Sequence, residues 1–254
     1  TTLFRSVLGQ AYYKNGDYNN ALHHFDHYFN KTQKVPPEAQ FQYAFTHYKT
    51  GDYTEAAKRF QPLSLADDTL GQHAMYLLGD CRLKTNQKGL AQSAFFKASQ
   101  MPYDAELVKN ARYYNAKLLS DLGEFDKAVD ELTSFLDDYP EDPRKAEVAR
   151  LVGAILVQSN NYDQAIQVID QYGDDSEATK NALQQAALFH AIDLYNDKQY
   201  QKALDRSSLA RREGLNTKYR NLATLIMANA YYQQKNFQPA IDRYTEYLGS
   251  LTME

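Results

Sequence analysis

The amino-acid sequence predicts an all-α fold, a right-handed α-α superhelix (solenoid) of about seven helix–turn–helix repeats. One observation behind this prediction is that residues 13–18, Tyr-Lys-Asn-Gly-Asp-Tyr, return as Tyr-Lys-Thr-Gly-Asp-Tyr in residues 48–53. A second is a column of seven alanines at separations of 35 to 38 residues: Ala21, Ala56, Ala91, Ala128, Ala165, Ala203 and Ala240. A near-constant period of this length is typical of repeats that stack on their neighbours.

Three further columns predict how the two helices of a repeat pack. Twelve residues before each Ala stands a small residue: Gly9, Ala44, Gly79, Ala116, Gly153, Ala191 or Ala228. An aromatic residue stands three positions before the Ala in six of the seven repeats, with Lys88 as the exception, and a mostly large apolar residue follows four positions after it. Because crossing helices approach to about 8–10 Å only over small side chains, we expect the small residue to face the Ala.

This arrangement resembles the tetratricopeptide repeat (TPR), because the small residue, the turn, the aromatic, the Ala and the large apolar residue all fall at that family's spacing. The resemblance covers essentially the whole chain. The opening Trp of the family is missing, and its closing Pro is clear only in the fourth repeat, at Pro140. The resemblance implies that the first helices of the repeats line a concave groove.

The repeats are placed at 2–35, 37–70, 72–105, 109–142, 146–179, 184–217 and 221–254, in one solenoid domain over residues 1–254. In the first repeat, Gly16 allows the chain to leave the first helix, and Asp17 is a cap for the second. In the second repeat, Asp52 and Glu55 have capping-box spacing. Asp68 is a suitable cap for the third.

Prolines and one polar linker mark several boundaries between helices. Pro36-Pro37 and Pro140 mark repeat boundaries, since proline is tolerated only in the first turn of a helix. Pro239 stands just inside the start of the last second helix, where its missing N–H costs nothing. The most polar linker, residues 173–177, precedes the least regular repeat, so we expect a possible hinge at 173–181.

Composition excludes several classes of function. The net charge is -4 and the pI about 5.9, with no basic run, so no nucleic-acid partner is expected. The longest apolar stretch, Leu151 to Val157, is far too short to span a bilayer. The single cysteine, Cys81, excludes an internal disulfide and any zinc or redox spacing, and we expect it to be buried.

No pattern of catalytic residues stands out, so an enzyme, a cofactor and a metal site are not expected. His23 and His27 are one helical turn apart and could share a metal. However, no Glu follows the first His as in a zinc-protease helix. We therefore interpret these histidines as part of a solvated outer face.

The predicted binding residues lie on the first helices of the early repeats. Aromatic residues not needed for packing within a repeat are Phe41, Phe45, Tyr48, Tyr76 and Tyr113. They can anchor a partner in the groove, as aromatic residues often do. The alternative is that they pack against the first helix of the next repeat. The sequence leaves both interpretations open.

A column of lysines is the second candidate binding feature. Lys14, Lys49 and Lys84 occupy equivalent positions in the first three repeats, and Asp121 takes that position in the fourth. The column can form a basic ladder for an acidic partner or a C-terminal carboxylate. Alternatively, each Lys stabilises the C-terminus of its own helix through the helix dipole, by about 0.3–1 kcal/mol.

The sequence therefore predicts a non-catalytic scaffold that binds a protein or an extended peptide in the groove. The alternative function is a structural spacer or self-association module of a larger cell-envelope protein. Gly-Asp-Tyr turns, residues 78–81 and residues 160–165 resemble the long TPR proteins of Gram-negative cell envelopes, which implies a periplasmic location. Because the last helix has an apolar strip with Ile241 and Leu248, we expect self-association through the C-terminal end. For the same reason, we expect this chain to be a fragment of a longer protein.

Overall fold

The structure, a computed structural model, describes residues 2–212 and 215–251. Within these residues the chain forms fourteen α-helices and no strand. They are α1 (Thr2–Lys14), α2 (Tyr18–Phe29), α3 (Pro37–Lys49), α4 (Tyr53–Leu63), α5 (Thr69–Lys84), α6 (Lys88–Ser99), α7 (Ala105–Asp121), α8 (Phe125–Asp138), α9 (Lys145–Gln158), α10 (Tyr162–Tyr172), α11 (Glu177–Asn196), α12 (Tyr200–Arg212), α13 (Thr217–Gln233) and α14 (Phe237–Leu251). Each odd-numbered helix is the first of a repeat, which confirms the all-α repeat fold.

The chain forms two compact units, Thr1–Ala128 and Val129–Glu254. The first unit has a core of phenylalanines at the position four residues after the Ala, since Phe25, Phe60 and Phe95 are completely buried. In the second unit, Phe135 and Ile169 are among the largest fully buried side chains. The single-domain assignment over residues 1–254 stays a prediction.

The small-residue column faces the large apolar residue that stands four positions after the Ala. A Cβ added to Gly9 would lie 2.8 Å from Cδ1 of Phe25, and one added to Gly153 would lie 2.5 Å from Cδ1 of Ile169. The first helix is therefore bare where the large apolar residue of the second helix crosses it, and at Gly153 the carbonyl oxygen of Ala165 also lies within 3.7 Å of the added Cβ. A large side chain needs this gap more than Ala does, because it extends farther from its own helix.

In each of the seven turns that join the two helices of a repeat, the residue five positions before the Ala has a left-handed backbone conformation. It is Gly16, Gly51, Asn86, Gly123, Asn160, Lys198 or Lys235, with φ between 58° and 86°. Glycine and asparagine adopt this conformation readily, whereas lysine does so at a cost. Asp17, Asp52 and Asp68 cap the helices that follow them, as expected.

Two buried glutamines fix the loop that leads into the next repeat. The Gln72 amide nitrogen donates to the carbonyls of Ala98 and Met101, and its oxygen accepts from the Asp104 N–H at 2.8 Å. Gln184 makes the equivalent contacts with Ala210 and Asn216, at 3.0 to 3.2 Å. Both side chains are fully buried, so these bonds satisfy polar groups that water does not reach.

The predicted hinge contains an ordered loop followed by a helix. Asp174 Oδ1 accepts from the hydroxyls of Ser176 and Thr179, at 2.5 and 2.6 Å, and these bonds lower the pKa of the carboxyl to about 2. Ser176 caps α11, which starts at Glu177, seven residues before the predicted start of the sixth repeat at residue 184. Residues 177–181 are thus helical, and hinge motion at 173–181 stays a prediction.

Candidate functional site

The candidate binding surface lies on the first helices α1 and α3 and on the starts of the second helices α2 and α4, in the first unit. We call it the aromatic face and define it by Tyr13, Tyr18, Phe41, Phe45, Tyr48 and Tyr53. Phe41, Phe45 and Tyr48 lie on one side of α3, because residues four and seven positions apart share a helix face. The Phe45 ring contacts Tyr13 and Tyr18 of the preceding repeat at centroid distances of 6.0 and 6.3 Å. The face is therefore continuous from one repeat to the next.

Two of the predicted lysines lie over this face. Lys49 Nζ is 5.7 Å from the centroid of the Tyr18 ring and 5.6 Å from that of Phe45. Lys84 Nζ is 5.3 Å from the centroid of Tyr53. Both lysines are exposed, and these distances permit cation–π attraction. The column thus contacts the rings of the preceding repeat, in addition to standing at helix C-termini.

The third lysine of the column has a different environment. Lys14 is exposed at the end of α1, and the structure of the described residues records no ring beneath it. Lys14 contributes charge to this side of the helix and no packing that the structure shows.

A hydrogen bond fastens the edge of the aromatic face to the third repeat. Tyr48 donates its hydroxyl to Asp80 Oδ2 at 2.5 Å, and Lys84 Nζ lies 3.9 Å from the same carboxylate. Burial and this hydrogen bond raise the pKa of Tyr48. The phenol therefore remains a hydrogen-bond donor at neutral pH, and its ring is held in a fixed orientation.

Tyr76 and Tyr113 contact other aromatic residues in the first unit. Tyr76 packs on Phe95 and Tyr114, with centroids 5.2 and 6.3 Å apart. Tyr113 is only 5% exposed, and its hydroxyl accepts a hydrogen bond from Lys117 Nζ at 3.2 Å. These contacts favour the packing interpretation for both residues. Tyr114 was not singled out from the sequence, although it stacks on Phe95 at 5.1 Å.

A cleft of about 390 Å³ lies in the first unit between the loop at residues 32–35, the first half of α3 and α4. Arg59 and Glu55 at its edge are 2.7 Å apart, and the Arg59 guanidinium lies 4.0 Å from the centroid of the Tyr43 ring. Tyr43 donates to Asp26 at 2.5 Å. The charges at this cleft contact one another, which makes it a weaker candidate for an ionic ligand than the aromatic face.

The residues that suggested other chemistry have ordinary environments. His23 and His27 are exposed on α2, and no set of three or more potential metal ligands occurs in the part of the chain that the structure describes. Cys81 is fully buried, which raises the pKa of its thiol to about 12 and leaves it unreactive. Among the same residues, no helix combines the length and apolar character that a membrane span requires.

Comparison with known proteins supports the repeat assignment. The sequence model of the tetratricopeptide repeat family matches residues 44–105 and 113–178, just over half of the chain. No curated protein sequence matches. The crystal structure of MamA protein is similar, with a TM-score of 0.56 and 17% identity over 67% of this chain and 89% of that one. A chain in the structure of Naa15/Naa10 bound to HypK-THB has a TM-score of 0.61 and 13% identity, over 98% of this chain and 37% of that one. At such identities, these likenesses show the fold.

Proposed function

Because the chain belongs to the tetratricopeptide repeat family, we propose that it is a non-catalytic scaffold whose aromatic face binds a protein or an extended peptide. The observation that supports this most is the position of Lys49 and Lys84, two exposed ammonium groups over aromatic rings. The rings hold both ammonium groups in place, and the N–H groups of Lys49 stay available, whereas Lys84 also lies 3.9 Å from the Asp80 carboxylate. An acidic partner therefore finds a preorganised site. The likeness to a chain of the Naa15/Naa10–HypK-THB assembly is consistent with a protein partner.

The experiment compares two charge-matched double variants. Lys49→Glu with Lys84→Glu reverses the charge of the aromatic face. Lys58→Glu with Lys97→Glu makes the same change at exposed lysines of the second helices α4 and α6. We expect the immobilised wild-type chain and the control variant to retain the same proteins from a lysate of the source organism, and the aromatic-face variant to lose them.

Circular dichroism is needed to verify that both variants remain helical. If both variants lose the captured proteins equally, binding reflects overall charge and not this face. If neither loses them, the aromatic face is not the binding surface. Capture that falls with added salt only in the wild type and the control supports an acidic partner.

Self-association is the second candidate function, and α14 favours it. Phe237, Ile241, Leu248 and Leu251 form a stripe at helical spacing on this helix, and each is at least 50% exposed. Exposed apolar stripes of this kind commonly mark interaction surfaces. A second copy of the chain can cover this stripe, as expected from the sequence. The cell-envelope location stays a prediction from the resemblance.

Analytical ultracentrifugation over a range of concentrations tests self-association. We expect the wild type to associate and the Ile241→Glu, Leu248→Glu double variant to remain monomeric. Gly249→Glu provides the control, because it adds a charge at an exposed position of the same helix that lies off the stripe, where an added Cβ meets nothing within 4 Å. A wild type that is monomeric at every concentration would exclude this candidate.

A further inference from the structure

A pocket of about 370 Å³ lies between the first helices α9 and α11 in the second unit. Its small residues are Gly153 and Ala154 from α9 and Ala182 from α11, and its larger apolar residues include Val157 and Phe189. None of these residues belongs to the predicted binding set, which lies in the first unit. The volume falls in the lower part of the range of about 300–1,000 Å³ that is common for ligand pockets.

Two small residues of the fifth repeat, Gly153 and Ala154, form one side of this pocket. Ile169 of α10 is 2% exposed and reaches the backbone of Gly153. A Cβ at Gly153 would lie 2.5 Å from Cδ1 of Ile169, so the helix crossing requires glycine there. Ala154, the next residue, is exposed and also small. Ile169 fills the space beside Gly153, so the apolar recess on the surface of α9 lies at the small, exposed side chain of Ala154.

Polar groups with unused hydrogen-bonding capacity line the same pocket. The Arg150 guanidinium donates through Nη1 to Thr179 Oγ1 at 2.9 Å, and Nη1 lies 3.5 Å from Asp174 Oδ1. Among the described residues, these contacts leave Nε and Nη2 available. The carboxamides of Gln158 and Gln185 also line the pocket, and no hydrogen bond to another described residue is recorded for either.

We propose that this pocket binds an extended peptide segment in which a large apolar side chain and an acidic side chain are two residues apart. The apolar side chain occupies the recess at Ala154, and the carboxylate pairs with Arg150. These two residues are four positions apart on α9, which is about 6 Å along the helix axis. Side chains two residues apart on an extended peptide are separated by about 6.6 Å and point to the same side.

The two glutamines complete the proposed site. An extended peptide has backbone N–H and C=O groups that need partners when they leave water. A carboxamide offers both a donor and an acceptor, so Gln158 and Gln185 can satisfy such groups on either side of the apolar side chain. Arg150 is the charged residue among those that line the pocket, which gives the site its preference for an acidic neighbour.

The proposal rests on the proposed function to the extent that both require peptide binding, but the two surfaces are different. Asp174 lies beside Arg150 and reduces its positive potential, so the carboxylate must approach from the Nη2 side. The Lys49→Glu, Lys84→Glu variant alters only the first unit. It should bind the pocket's peptide as the wild type does, so that the two proposals can fail separately.

The probe is the synthetic peptide Gly-Asp-Ser-Phe-Ser-Asp-Gly with blocked ends, in which Asp flanks Phe in both chain directions. Its binding is followed by amide chemical shifts in a titration monitored by NMR. We expect the shifted signals to belong to α9 and α11. Replacing Phe by Ser should weaken binding by roughly tenfold or more, and replacing both Asp by Asn should weaken it by about tenfold.

Two variants of the chain test the same contacts from the other side. Ala154→Leu fills the recess at an exposed position, so it should abolish binding without unfolding the protein. Ala178→Leu makes the same change at an exposed position of α11 outside the pocket, and should leave binding unchanged. Arg150→Gln should weaken binding of the Asp peptide to the level at which the wild type binds the Asn peptide. It should leave binding of the Asn peptide unchanged.

The proposal is overturned if Ala154→Leu binds the probe as the wild type does, or if the shifted signals lie outside α9 and α11. The role of Arg150 is overturned if the Asp and Asn peptides bind equally well to the wild type. Circular dichroism melts verify that each variant is folded. If the Arg150→Gln variant is not folded, the comparison of the Asp and Asn peptides in binding to the wild type still tests the ion pair.

Discussion

The Lys88 ammonium lies 2.6 Å from Oδ2 of Asp121, the residue at which the lysine column of the first three repeats stops. Lys88 takes the place of the aromatic residue that usually stands three positions before the Ala. Asp121 takes the place of the lysine found seven positions before the Ala in the first three repeats. The structure shows that these two positions contact each other between neighbouring repeats.

The same contact has a different chemistry in the earlier repeats. There, Lys49 lies over Tyr18 and Lys84 lies over Tyr53. The cation–ring contact of the first two repeat junctions is thus replaced by an ion pair at the third junction. There, the cation stands on the second helix of the preceding repeat, and the first helix of the following repeat carries the carboxylate. Each of the two residues compensates the other, because a lysine at position 121 would face the ammonium of Lys88.

A double-mutant cycle at Lys88 and Asp121 tests this relationship. Asp121→Lys should lower the free energy of unfolding by up to about 1 kcal/mol, because it brings two cations together on a half-exposed surface. Adding Lys88→Tyr should recover most of that loss, since it restores the tyrosine–lysine contact of the earlier repeats. Urea denaturation measures both effects. A double variant no more stable than the single one would show that the two positions are not coupled.

Gly153 and Gly89 should respond in opposite ways to the same substitution. A Cβ at Gly153 meets Ile169, so Gly153→Ala should destabilise the protein by about 1–3 kcal/mol through overpacking. Gly89 lies in α6 with nothing within 4 Å of an added Cβ, so Gly89→Ala should stabilise it by about 0.5–1 kcal/mol. Thermal unfolding of both variants checks the signs. Equal shifts in the same direction would contradict the helix crossing described above.

The lysines in left-handed turns predict a stabilising substitution. Lys198 has φ of 62°, a conformation that costs an ordinary residue roughly 1–2 kcal/mol. Lys198→Gly should raise the free energy of unfolding by about 0.5–1 kcal/mol, because part of the gain is offset by the greater chain entropy of glycine when unfolded. In contrast, Lys202→Gly in the exposed part of α12 should lower it by about 1 kcal/mol. The prediction is wrong if both variants are destabilised.

Stability should fall in mild acid because of His47. Burial, followed by the charge of Arg59, lowers the pKa of this histidine, although Asp52 opposes the shift from 3.5 Å. The unfolded chain therefore takes up the proton at about pH 6.5 while the folded chain remains neutral. The stabilising contribution is present above that pH and is lost as the pH falls below it.

The measurement is the melting temperature at about pH 7.5 and about pH 5.5. We expect a smaller difference between the two values in His47→Gln than in the wild type, whatever the absolute stability of the variant. An unchanged difference would mean that this histidine does not contribute to acid sensitivity.

The helix pairs, their capping residues and the buried Cys81 could be predicted from the sequence, whereas most of the contacts at the candidate site could not. That Phe45 and Tyr48 share a helix face could be predicted, because it depends only on spacing along one helix. Which ring would lie beneath Lys49 depends on how α3 sits against the preceding repeat. Position 198 is lysine and not glycine, so the sequence did not indicate its left-handed conformation, which only the structure shows.

By itself, the sequence determined the family, the number of repeats and the order of their helices, because these depend on local periodicity and on capping residues. The tertiary structure decided which residues meet between repeats, such as Lys88 with Asp121, and where a pocket is open, as at Ala154. The physical reason is that such contacts depend on the distance and angle between helices. Those quantities result from the packing of all side chains at a crossing, and no single column of the sequence records them.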